Sequence, residues 1–228
     1  MPPEADRLDR AARRACPVHF GGGRTASVGQ VLEPAWPLRT ARLDLRPYQE
    51  GDLEHVRAMQ TREEVTRYLY WDVMTEEEVR ETLAKKMGRA ALRKEGDGLN
   101  PVAVLRETDE VVGDAALLWV SEVHRTGEVG FVLKPEFQGR GFATELAAEM
   151  LRLGFEEAGL HRIIGRCDAR NTSSWAVLDR VGMRREAHLV QNEWVKGEWC
   201  DELDYALLAD EWQSRSVDRA PRDCPDPA

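Results

Sequence analysis

Apolar and polar residues change rhythm several times between Thr40 and Trp212, and each change predicts an element. Arg42 to Arg46 alternates with period two, the mark of a strand with one buried face. Gly51 to Tyr70 and Thr75 to Glu95 then carry helical spacing, the second opened by Thr75 with Glu78 three residues on, a capping box. Pro101 to Glu107 and Val111 to Val120 are apolar, β-branched runs joined by Thr108-Asp109-Glu110, which predicts a hairpin. Thr126 to Leu133 reads as a further strand. Thr144 to Ala158 reads as a helix with Leu146, Met150, Leu151, Leu153 and Phe155 turned inward. Arg162 to Cys167 predicts a strand, Ser173 to Val181 a helix, and Arg184 to Val195 with Cys200 to Leu208 a long closing hairpin. Runs of strands mixed with helices in this order predict an α+β fold with a mostly antiparallel sheet and helices on both faces.

Outside that stretch the pattern fades. Met1 to Leu38 is rich in Pro, Gly, Ala and Arg without a sustained period, and is expected to be disordered or loosely attached. Residues 39–212 form one domain by length, and 213–228, with three prolines, read as a disordered tail. No apolar run nears the roughly 20 residues that span a bilayer, and no secretory leader is visible, so the expected address is cytoplasmic. Four cysteines, at 16, 167, 200 and 224, lack metal-ligand spacing, so neither zinc nor disulfides are expected. A net charge of −9 argues against a nucleic-acid surface and favours a cationic partner.

The chemistry concentrates where the strand Gly130-Phe131-Val132-Leu133 breaks at Lys134-Pro135 and re-enters a helix through Gln138-Gly139-Arg140-Gly141-Phe142-Ala143-Thr144. Glycines let the main chain approach a ligand, and the first helical turn offers N–H groups with no internal partner, which together cradle a pyrophosphate. A dinucleotide fingerprint would need a third glycine where Thr144 stands, and a Walker motif would need Gly-Lys-Ser/Thr. Gln138, Gly141 and Ala143 fit the Gln/Arg-x-x-Gly-x-Gly/Ala signature of the GNAT superfamily of N-acetyltransferases. Downstream, Asn171 to Met183 is similar to the Asn-x-x-Ser helix of its RimJ/RimL-type branch, and Asn192 to Asp201 to that branch's closing hairpin. The resemblance covers about Thr40 to Trp212.

That resemblance implies a sheet of about seven strands with a V-shaped split between two central ones. It implies acetyl-CoA as cofactor, its pyrophosphate on Gln138 to Thr144 and its pantetheine arm along the backbone of Phe131, Val132 and Leu133 and the side chain of Asn171. The family's strand is bulged there, and Gly130 suits a bulge. Phe131 N–H is the expected donor to the thioester oxygen. The acceptor is a primary amine, a peptide N-terminus or a small molecule, attacking directly in a ternary complex. An alkylammonium must first lose a proton, and a carboxylate is the natural acceptor. Glu193, matching an acidic position of the closing hairpin, is the first candidate and Glu128 the second. Ser174 is expected to donate to the departing sulfur or else to cap its helix, and Tyr68, Tyr70, Trp71, Asp72, Trp119, Trp194 and Trp199 to wall the acceptor cleft or to be core. A homodimer is also among the expectations. The alternatives are a non-catalytic acyl-CoA-binding sensor and a protein-interaction module on the same fold.

Overall fold

The computed structural model describes residues 30–219, with side chains to Arg215. The expectations for residues 1–29 and 220–228 lie outside the described residues. Nine strands form one sheet: β1 Leu38–Arg39, β2 Leu43–Arg46, β3 Gly98–Leu99, β4 Val102–Leu105, β5 Glu110–Ser121, β6 Thr126–Leu133, β7 Arg162–Asp168, β8 Arg184–Val195 and β9 Glu198–Leu208. Seven have four or more residues, as the sequence predicts; β1 and β3 are two-residue additions too short to show a period. The spatial order is β1-β2-β4-β5-β6-β7-β9-β8, with β3 beside β5. Among the described strands only β6 and β7 pair in parallel. Such a pair needs a crossover, supplied by the helix α4, Phe142–Arg152.

On one face of the sheet α4 and α5 (Thr172–Arg180) cover the main core. Leu146, Met150 and Leu151 of α4 meet Leu117, Val129 and Ile163 of the sheet, all of them buried. On the other face α1 (Leu53–Gln60), the single turn α2 (Glu63–Thr66) and α3 (Glu76–Met87) bury Val56, Val79 and Leu83 against Val102 and Val104. The stretch expected to be helical from 51 to 70 is broken at Thr61, whose hydroxyl donates to Arg57 O and closes α1. Thr75 and Glu78 do form the capping box of α3. That helix ends at Gly88 rather than running to Glu95, because the chain beyond turns to bridge Leu32 and Leu99.

Packing contacts reach beyond residues 39–212 at both ends. Residues 30–38 are not loose: Leu32 is buried, pairs with Leu92, and Gln30 N–H donates to Ala158 O. At the other end α6, Ala209–Arg219, continues past 212. It is pinned by Trp212, whose ring stacks 5.9 Å from Phe155 and whose Nε1 donates to Glu156.

β6 and β7 pair over only three positions, Thr126↔Arg162, Gly127↔Ile163 and Glu128↔Ile164. Beyond them β6 runs on to Leu133 and β7 to Asp168 without a shared ladder, which makes the V. The bulge expected at Gly130 is absent: β6 stays in register with β5 from Gly127 to Leu133, and the irregularity lies on β5 between Trp119 and Ser121. The split therefore comes from divergence of two regular strands.

Candidate active site

Backbone hydrogen bonding alternates along a strand, so half of β6 faces β5 and half faces the gap. Lys134 N–H donates to Val112 O, which sets the phase. Val132 and Gly130 accordingly spend their polar groups on Asp114 and Ala116 of β5, while Val129, Phe131 and Leu133 point theirs into the V. Phe131 N–H thus projects where an extended ligand can pair with it. Val132, expected to contribute backbone contacts, is turned the other way, and Leu133 O already accepts Gln138 Nε2 at 3.3 Å. That bond ties the turn back to the strand.

At the turn, Gly139 and Gly141 have φ of 71° and 82°, a left-handed region that L side chains rarely adopt. Gly141 is the N-cap of α4 and has no side-chain cap. Among the described residues no protein acceptor meets the N–H groups from Gly139 to Thr144; the first helical bond is Glu145 N–H to Gly141 O. A β-carbon at Gly139 would meet nothing within 4 Å, so the cradle is open. Arg42 braces it from behind, donating to Arg140 O at 2.9 Å and to Glu145 at 2.8 Å, with its guanidinium 4.3 Å over the Phe142 ring. Arg140 lies over the other neighbours, Phe142 at 5.0 Å and Phe137 at 5.7 Å. Phe142 is buried, Ala143 and Thr144 half-buried.

Asn171 is the N-cap of α5, its Oδ1 accepting Ser174 N–H at 3.1 Å. Its amide nitrogen remains a donor for a ligand. Ser174 lies close enough to the buried Cys167 of β7 to bear on its thiol. Burial pushes that thiol up to about 11 against the opposing pull of Ser174, so Cys167 stays a protonated thiol.

The opposite face of the V is acidic. Glu128 is gripped by Arg166, Nη2 to Oε2 at 2.9 Å and Nε to Oε1 at 3.2 Å. Burial acts against the charge on Arg166, but Glu128 outweighs it and the guanidinium is held more firmly protonated than usual. Both oxygens of Glu128 are thus taken by Arg166. The carboxylate of Glu193, half-buried on β8, has no hydrogen bond or ion pair among the described residues. It lies close enough to Tyr70 and Glu202 for its charge to bear on both. Glu202, on β9, is buried and accepts hydrogen bonds from Tyr70 Oη and from Asn192 Nδ2, the latter at 3.0 Å. Burial raises the pKa of Glu202, opposed by Tyr70 and Arg166; it also raises that of Asp204, whose Oδ1 is buried without a donor.

Arg166 and Glu202 were missed in the sequence. Strand alternation hints that each faces away from the core, yet that they meet depends on β9, not β8, lying beside β7 with Asp168 opposite Glu202. Of the aromatic candidates, Tyr70 and Trp71 stay on this face, Trp71 donating to Gln60. Trp119 is buried in the main core instead of walling a cleft. Trp194 and Trp199 form an exposed edge-to-face pair, centroids 5.3 Å apart, on the closing hairpin.

The acetyltransferase (GNAT) domain profile matches residues 42–184, more than half of the chain. This chain is a GNAT acetyltransferase. It is 34% identical over 175 residues to the uncharacterized N-acetyltransferase YnaD of Bacillus subtilis (strain 168), covering 77% of this chain and 98% of that one. The GNAT-family acetyltransferase of Bacillus anthracis superposes with a TM-score of 0.68 at 33% identity, over 76% of this chain and 98% of that chain. The spermidine N-acetyltransferase of Vibrio cholerae, solved with CoA and spermine, shares the fold with a TM-score of 0.66 at 22% identity, over 76% and 99%.

A GNAT enzyme draws its acetyl group from acetyl-CoA, and that is the cofactor here. The observations above fit it: unspent N–H groups and positive helix dipole at Gly139 to Thr144 suit the pyrophosphate, and the free edge of β6 suits the amide-bearing arm. The cofactor supplies an acyl group activated as a thioester. No cluster of metal-ligating side chains occurs among the described residues, and no described helix is long and apolar enough to cross a membrane.

Proposed function

We propose that the acceptor is a cationic primary amine that reaches the split from the acidic face and attacks the thioester directly, and that Glu193 takes its proton. The observation that carries this reading is the half-buried, unpartnered carboxylate of Glu193 near Glu202, while Glu128 is held by Arg166 and Glu202 by Tyr70 and Asn192. A free carboxylate both attracts an ammonium and can accept its proton, the two requirements for generating a neutral nucleophile. Phe131 N–H donates toward the oxygen on which charge gathers, and Ser174 donates toward the departing sulfur. Placement in the RimJ/RimL-type branch with peptide N-termini as acceptors is the protein-directed form of this reading; small polyamines are the other, supported by the likeness to the spermidine enzyme.

Thiol release from acetyl-CoA against a panel of peptides and polyamines tests the reading. Glu193→Gln is expected to lower kcat by about 100-fold, within the range for loss of a general base, while coenzyme A affinity by calorimetry stays within about twofold. Unchanged turnover would move proton removal to solvent. Coenzyme A binding with no turnover on any amine would leave the acyl-CoA sensor.

A further inference from the structure

The proposal concerns Tyr70, and it rests on the amine arriving at the acidic face as above. Tyr70 belongs to the segment between α2 and α3, which crosses that face and is anchored twice to the closing hairpin. Lys196 Nζ donates to Thr66 O, and Tyr70 Oη donates to Glu202. The second anchor has a chemical direction. An ionised carboxylate accepts only, and a phenol has one hydrogen to give. Tyr70 keeps its proton because burial, and then Glu202, raise its pKa far above the usual value. Its single hydrogen is therefore committed to Glu202, and what the phenol oxygen can still show to the cleft is lone pairs.

Glu202 cannot meet the substrate itself. It is 3% exposed, and its second oxygen is occupied by Asn192. Tyr70 is half-buried, and Glu193 is near enough for its charge to act on both Tyr70 and Glu202. A buried negative group thus takes the phenol's one hydrogen and leaves its oxygen as an acceptor, with a second carboxylate close by.

We propose that Tyr70, aimed by the buried Glu202, is the hydrogen-bond acceptor that holds an N–H of the incoming amine while Glu193 receives its proton. Tyr70 touches substrate; Glu202 is a positioning residue. The arrangement selects for a donor. An amine nitrogen offers hydrogens to the phenol oxygen, whereas a carbonyl at the same place would face a second acceptor and be repelled. If Glu202 takes up a proton, the bond reverses, the carboxyl donates to the phenol, and Tyr70 turns its own hydrogen to the cleft. The groups that face Glu202 are Tyr70, Asn192 and Glu193, Asp204 on its own strand, and Arg166 and the directly opposite Asp168 on β7.

The test is steady-state kinetics on the full chain with spermidine and an N-terminal alanyl peptide as acceptors. Tyr70→Phe is expected to raise the KM for the amine about tenfold or more, the loss of one hydrogen bond to a charged group, with the acetyl-CoA KM within about twofold. Glu202→Gln should do the same, since its amide can donate to the phenol oxygen while preserving the anchor and the melting temperature. It should also flatten the acid-side rise of amine KM expected of the wild type. An unchanged amine KM in Tyr70→Phe would overturn the inference. So would a joint rise of both KM values with a fall in melting temperature in both variants, the mark of a purely structural anchor. Wild-type protein that acetylates neither acceptor would instead overturn the acceptor reading on which this one rests.

Discussion

Asp52 and Glu202 show how two buried carboxylates in one domain answer to opposite rules. Burial alone would raise the pKa of Asp52, but two hydrogen bonds from Arg46, at 2.8 and 2.9 Å, and one from Gln49 N–H outweigh it and lower it. For Glu202 the single guanidinium nearby and the phenol do not overcome burial, and the pKa is raised. The consequences for stability have opposite signs. A lowered carboxylate stabilises the fold above its unfolded pKa of about 3.9, and that contribution vanishes as the pH falls through the folded value; a raised one opposes folding at neutral pH and ceases to do so in acid. Asp52→Asn is therefore expected to cost about 1–3 kcal/mol at pH 7, measured by urea unfolding, with the gap to wild type closing below about pH 4. A gap that persists undiminished in acid would show that the cost is steric and not one of charge.

Elements were read from the sequence where one local rule decided them. Leu43 and Leu45 alternate into the core, Thr75 with Glu78 opens α3, and Lys196-Gly197, both with positive φ, close the last hairpin. The helix after the glycine turn was legible for the same reason, since Leu146, Met150 and Leu151 repeat on one side. What was not legible is non-local. Leu32 docks from a stretch, Val31 to Leu38, whose apolar residues are broken up by Pro34 and Pro37, leaving no period to read. The Arg166 and Glu202 arrangement waits on which strand of the final hairpin lies inward. The phase of β6, which gives Phe131 to the gap and Val132 to β5, depends on pairing with Val112 and could not come from β6 alone. The turn carries its own prediction. Gly141→Ala places a side chain at φ 82° and beside Arg42, 3.5 Å away. A loss of about 1 kcal/mol of stability, with weaker coenzyme A binding by calorimetry, is expected. Unaltered binding would separate the turn from the pyrophosphate.

Across the whole molecule the sheet is two half-sheets joined by a short seam. β1 to β6 form one side with its own α1–α3 layer, β7 to β9 the other, and three residue pairs on each strand connect them directly. α4 and α5 bridge the seam on the core face, while Tyr70 and Lys196 bridge it on the acidic face. A ligand that hydrogen-bonds to β6 and to Asn171 at once adds a further crosslink between the halves. Coenzyme A at 100 times its Kd is expected to add about 2.7 kcal/mol of stability, read as a rise in melting temperature that tracks ligand concentration. No shift under saturation would contradict binding across the seam.

The seam is also welded at its apex. A methyl group at Gly127 would come within 2.6 Å of Leu160, and one at Gly154 within 2.5 Å of Ile163, so side chains fill the core face where the strands part. The wedge is thus a calliper with a locked pivot: its jaws diverge along a fixed taper. A forked acyl donor is therefore expected to react more slowly than acetyl-CoA, read as a fall in kcat/KM; equal values for both donors would show that the taper sets no such limit.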